Sequence, residues 1–136
     1  MFSNLFVTIL RCVYLFVTQT ATALADTVSL TPAQVLGGLI VGTPTAAANY
    51  TLPTAAAILD AMGGSGQAKV GDSFEFYIRN VSAGAYTITL VTGTGITLAA
   101  GNTNTAVQAN TRSFMGIVTG TVTPAITIYS MCASAH

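Results

Sequence analysis

The sequence predicts a mainly β protein: an antiparallel, jelly-roll-like β-sandwich with one short α-helix and an extended hydrophobic N-terminal arm. Three observations carry this prediction. Apolar and polar residues alternate over short runs. Gly, Asn, Thr and Pro break the chain at intervals of about 8–12 residues. Val, Ile, Thr, Tyr and Phe, which suit a pleated surface, fill the runs between the breaks. The 136 residues are enough for one domain with a hydrophobic core. We divide them into a segment over residues 1–26, arm-like or signal-like, and a β domain over 27–136.

The most hydrophobic stretch is residues 5–17, Leu5-Phe6-Val7-Thr8-Ile9-Leu10-Arg11-Cys12-Val13-Tyr14-Leu15-Phe16-Val17. As a signal peptide it would be cut after Ala23-Leu24-Ala25, but no Lys or Arg precedes the apolar run and Arg11 interrupts it. As a membrane span through residues 5–25 it would need about 20 mainly apolar residues and would carry a central Arg costing roughly 2.5–3.5 kcal/mol. As a docked arm its strand-forming residues would lie on a partner subunit, with the Arg11 head paired to a carboxylate. The arm is the preferred reading. It makes Leu5, Phe6, Ile9, Arg11, Tyr14 and Phe16 interface candidates.

From Asp26 onward the elements follow from local signals. Thr31 is a helix N-cap with Pro32 at the first helical position, and Gly37-Gly38 halts that helix after about one turn. Leu39-Ile40-Val41 reads as a short buried strand closed by Gly42-Thr43-Pro44. Asn49 to Met62 holds the one sustained helix: Pro53 or Thr54 starts it, alanines extend it and Gly63-Gly64 ends it. In Ser73-Phe74-Glu75-Phe76-Tyr77-Ile78-Arg79-Asn80 the apolar Phe74, Phe76 and Ile78 alternate with Glu75, Tyr77 and Arg79, as a half-buried antiparallel strand requires. Tyr86-Thr87-Ile88-Thr89-Leu90 alternates in the same way. Thr92-Gly93-Thr94-Gly95 is read as a hairpin turn into Ile96-Thr97-Leu98. Strands over residues 111–119 and 124–131 complete the domain.

Composition narrows the function. Charged residues make up 6% of the chain, with four acids, four bases and no net charge; an ordinary domain has roughly 25%. So few charges predict that neighbouring protein or a membrane covers part of the surface. The apolar content excludes disorder, and four scattered bases give no footprint for nucleic acid.

Catalytic and metal chemistry is not expected. The one histidine, His136, is the last residue and is read as a frayed tail, out of reach of a triad or a zinc site. Asp72 and Glu75 are read as solubilising charges that pair with Lys69 or Arg79. Cys12 and Cys132 are read as buried thiols in preference to a disulfide. Gly93-Thr94-Gly95 lacks the residues of a phosphate loop. Asn49-Tyr50-Thr51 and Asn80-Val81-Ser82 match the N-glycosylation pattern.

The order of motifs also carries a resemblance. Asn49-Tyr50-Thr51-Leu52-Pro53-Thr54-Ala55, Val70-Gly71-Asp72-Ser73-Phe74-Glu75-Phe76, Tyr86-Thr87-Ile88-Thr89-Leu90, Gly93-Thr94-Gly95 and Ala125-Ile126-Thr127-Ile128-Tyr129 follow one another. Over residues 27–136 this resembles small β-sandwich domains in decoration (cement) and minor capsid proteins of double-stranded DNA viruses, particularly tailed phages. The stretch over residues 2–17 is not part of the shared pattern. The resemblance implies a non-enzymatic virion protein without cofactors, a homotrimer on the capsid surface that touches copies of itself and the major capsid protein. On that reading Arg79 and Arg112 join the interface candidates. Similar domains end phage fibres, so the alternative is a fibre head or spike that binds a host receptor or glycan through the loops at 63–67 and 102–104.

Overall fold

A computed structural model describes residues 22–64 and 66–136. The interface candidates Leu5, Phe6, Ile9, Arg11, Tyr14 and Phe16, together with Cys12, lie outside the described residues. Among the described residues the elements run β1 (Thr22–Leu24), β2 (Val28–Ser29), α1 (Pro32–Leu36), β3 (Leu39–Gly42), β4 (Ala48–Thr51), α2 (Ala55–Ala61), β5 (Ser73–Asn80), β6 (Ile88–Val91), β7 (Ile96–Leu98), β8 (Thr105–Ala106), β9 (Asn110–Gly120) and β10 (Ala125–Ala135). Thr22–Leu24, which the sequence reading assigned to the N-terminal segment, forms β1 and is part of a sheet.

The helices begin where their caps predict. The Thr31 hydroxyl accepts the Gln34 backbone N–H at 3.3 Å while the Gln34 side chain accepts the Thr31 N–H at 2.8 Å, a complete capping box. The Thr54 hydroxyl accepts the Ala57 N–H at 3.2 Å at the start of α2. Gly63 and Gly64 end α2 at φ 108° and 86°, a conformation that glycine adopts without steric cost. The first helix is five residues long, as Thr31-Pro32 and Gly37-Gly38 predict, and counted with the second it gives the domain two short helices instead of one.

Two sheets enclose one core. The larger has six strands in the order β1-β3-β5-β9-β10-β7, the smaller four in the order β2-β4-β6-β8. The chain crosses from one sheet to the other at every connection from β1 to β9. From β1 to β6, neighbours within a sheet are therefore two strands apart in sequence: β1, β3 and β5 pair in parallel, as do β2, β4 and β6. Parallel neighbours cannot be joined by a tight turn, and here each crossover passes through the opposite sheet. Antiparallel pairing enters only late, at β6–β8, β5–β9 and β9–β10.

This corrects the expected antiparallel, jelly-roll-like scheme. The pairing is mixed, with β7 also parallel to β10. It also corrects the hairpin predicted at residues 92–95, because β6 and β7 belong to different sheets. Alternation reports which face of a strand is buried and not which strand lies beside it.

The two glycines of that turn serve close packing. A Cβ on Gly93 would collide with the Leu52 and Pro53 carbonyls, and Gly95 sits at φ 78° against the Pro124 carbonyl. The turn is held from both sides, Ala55 N–H donating to the Thr94 carbonyl at 2.9 Å and Ile126 N–H to the Gly95 carbonyl at 3.0 Å.

The core draws on both sheets and both helices. Tyr50, Ile88 and Leu90 of the smaller sheet meet Ile40, Phe76, Phe114 and Ile128 of the larger, and Val35, Ile58 and Leu59 close the cluster from the helices. Phe76 and Phe114 stack with centroids 5.1 Å apart. Each fully buried side chain of this size contributes about 1.5–3 kcal/mol. Gly42 lets the sheets approach, since a Cβ there would strike Ile88 and the Tyr50 ring.

Candidate interaction surface

The strands of the six-stranded sheet are buried on one face only, and the other face is the candidate functional surface. Cross-strand partners point to the same side of a sheet, so the register assigns its members. Leu39 lies opposite Tyr77, and Tyr77 opposite Ser113. Glu75 lies opposite Met115, and Met115 opposite Tyr129. Val41 is beside Arg79, and Ile117 is flanked by Ser73 and Thr127. Leu39, Val41, Tyr77, Met115 and Ile117 are half-buried and Tyr129 is exposed. Neither helix covers this face: the buried residues of both point into the core on the other side.

Glu75 and Arg79 are the two charges in this apolar field, and both are exposed. The Glu75 carboxylate accepts the Tyr77 hydroxyl at 3.3 Å. The Glu75 charge, that hydrogen bond, slight burial and the Cys132 thiol, in that order, raise the pKa of Tyr77 above the ordinary phenol value. Asp72 stands in the turn before β5, where its carboxylate accepts the Lys69 backbone N–H at 2.8 Å. Its link to Lys69 is therefore made to the backbone.

Arg79 lies on the candidate surface, but Arg112 faces inward. The Arg112 Nε donates to the Thr105 carbonyl of β8, and Nη1 donates to Ser130 Oγ at 3.0 Å. The adjacent carbonyl of β8 is taken by Asn80, whose Nδ2 donates to Ala106 O and to Tyr86 O, both at 2.8 Å, while its Oδ1 accepts the Ser82 N–H at 3.1 Å. Two side chains of the larger sheet thus bind the two-residue edge strand of the smaller one. Asn80 is fully buried with its amide committed on both ends, so the glycosylation match there belongs to a structural residue. Sequence reading overlooked this seam because an Asn closing an alternating strand looks like a turn residue.

Two expectations about reactive side chains are also revised. Cys132 was expected to be buried; its thiol is exposed, 3.2 Å from Ser113 Oγ. His136 was expected to be frayed, yet its N–H donates to the Ala109 carbonyl at 2.9 Å and its ring Nδ1 lies 3.4 Å from Thr111 Oγ1. Strand pairing extends β10 that far, well past the predicted end at residue 131. Among the described residues no three His, Cys, Asp or Glu side chains gather as metal ligands would. Among the same residues no helix is long and apolar enough to cross a membrane.

An open recess of about 630 Å³ is lined by Thr43, Pro44, Thr45, Val81, Ala83, Gly84 and Tyr86. It has no charged lining side chain. In the loop at 102–104, the side-chain amides face inward, Asn102 Nδ2 donating to Ile128 O at 3.3 Å and Asn104 Nδ2 to Leu90 O at 2.9 Å. No protein-family model, curated protein or solved structure matches the chain.

Proposed function

We propose that the chain is a structural subunit that acts by packing, a two-layer β-sandwich whose larger sheet presents an apolar face to neighbouring protein. The observation that carries this reading is that face: Leu39, Val41, Tyr77, Met115, Ile117 and Tyr129 side by side, with only Glu75 and Arg79 as charges. Half-buried apolar side chains interspersed with Ser73, Ser113, Thr127 and two charges make the mixed surface that a protein interface uses. A chain with 6% charged residues gains most from having that surface covered.

Within that class, the motif order favours a capsid decoration (cement) or minor capsid protein of a double-stranded DNA virus. Such a subunit sits on the capsid surface, packs against copies of itself and bridges major capsid subunits, burying apolar area at the joints against internal pressure. A receptor-binding role has less support, because the amides of Asn102 and Asn104 are spent on the fold. Particles assembled without the protein should form normally but burst at a lower temperature, and adding it back should restore them. Particles equally robust in both states would refute the reading.

A further inference from the structure

We infer that the open edge of β10, over residues 129–135, is where a second copy of the chain adds its own β10, antiparallel about a two-fold axis. The inference rests on the reading of the chain as a self-packing subunit and names the contact. β9 and β10 pair from Ala125 to Ser130 and again from Ala133 to Ala135 on β10. Among the described residues, β10 is covered on its other side by β7, through Ile126, Thr127 and Ile128, and by the Ala99 N–H and Asn102 amide at Ile128 O. Beyond Ile128, no backbone group of the described residues pairs with that side of β10.

Exposed strand edges are templates for further pairing, and proteins guard them by shortness, by charge or by proline. The other edge strands are guarded by shortness: β1 and β7 have three residues, β2 and β8 two. The free part of β10 is Tyr129-Ser130-Met131-Cys132-Ala133-Ser134-Ala135, without a charge or a proline. A register irregularity between Ser130 and Ala133 is its one guard, and pairing with β9 resumes after it.

The favoured occupant is a second copy for two reasons. A second copy supplies a strand of matching length without charge or proline, and among the described residues β10 is the one strand edge with those properties. Antiparallel self-pairing sets no like charges opposite each other and closes as an isologous dimer instead of a growing fibre. It would also join two six-stranded sheets edge to edge, cover Met131, which is 55% exposed, and make their apolar outer faces continuous.

The test is the mass of the full chain in solution across micromolar concentrations, with amide hydrogen exchange on the same samples. The expected result is a dimer in which the amides of residues 129–135 are protected and become exchangeable on dilution. Met131→Lys/Ser134→Lys should weaken the dimer by about tenfold or more, whereas Val122→Lys, at the exposed β9–β10 tip, should leave it unchanged. Met131→Lys alone serves if the double variant does not fold. A monomer whose 129–135 amides stay protected at every dilution would overturn the inference by assigning the edge to residues 1–21 of the same chain. Self-association that ignores the edge variants would overturn it while leaving the shell reading intact; particle robustness tests that reading separately.

Discussion

The two faces of β5 differ in what they are for. On one side Phe76, Ile78 and Asn80 are buried against the second sheet and are held by packing and by a closed set of hydrogen bonds. On the other, Glu75, Tyr77 and Arg79 share the same backbone yet sit in an apolar field that no described element of the chain covers. The inner face sets stability. The outer face is free to serve association, so substitutions on the two faces should separate the two properties.

The largest effect is expected on the inner face. Phe114→Ala removes a ring stacked on Phe76 in a site with no exposure. It should cost about 3–5 kcal/mol in denaturant unfolding. Asn80→Ala comes next: it strands the carbonyls of Tyr86 and Ala106 and the N–H of Ser82. Leaving such buried groups unpaired should cost about 2–4 kcal/mol.

Tyr50 gives the comparison a pH dependence. Its hydroxyl donates to the Leu24 carbonyl at 3.1 Å, and burial, aided by the Asp26 charge, pushes its pKa from 10.0 up to about 12. The native state therefore keeps this proton longer than the unfolded chain does. The contribution is fully present below pH 10 and is lost as pH rises toward 12, about 2–3 kcal/mol in all. Stability measured from pH 9 to 12 should fall accordingly, and in Tyr50→Phe that part of the fall should vanish for a baseline cost of about 1 kcal/mol.

The smallest stability effect belongs to the outer face. Met115→Thr or Tyr77→Ser should shift unfolding by about 0.5 kcal/mol or less while weakening retention on particles. A loss comparable to that of Phe114→Ala would mean that the outer face is a second core, covered within the chain.

Local features were legible wherever the signal was short-range. Thr31 and Thr54 start the helices, Gly63-Gly64 stops the second, and the alternation of Phe74, Phe76 and Ile78 with Glu75, Tyr77 and Arg79 gives β5 its bounds and both faces. β4 was less visible, because Ala48-Asn49-Tyr50-Thr51 is too short to show a period. Alternation placed Arg79 on the outer side of β5, where it is exposed. Arg112 was identified as a charge without its destination, since its partners Thr105 and Ser130 are set by the meeting of distant strands.

The amino-acid sequence by itself thus determined where the helices start, the buried side of each long strand, and a composition poor in charge. It could not determine neighbours. A strand's period is a property of consecutive residues, but its partner is chosen by which distant segments can bury their faces together while satisfying every backbone group. Only the tertiary structure decided that the chain winds between two sheets with parallel neighbours, that Asn80 and Arg112 bind β8 from across the core, and that β10 runs well beyond its pairing with β7.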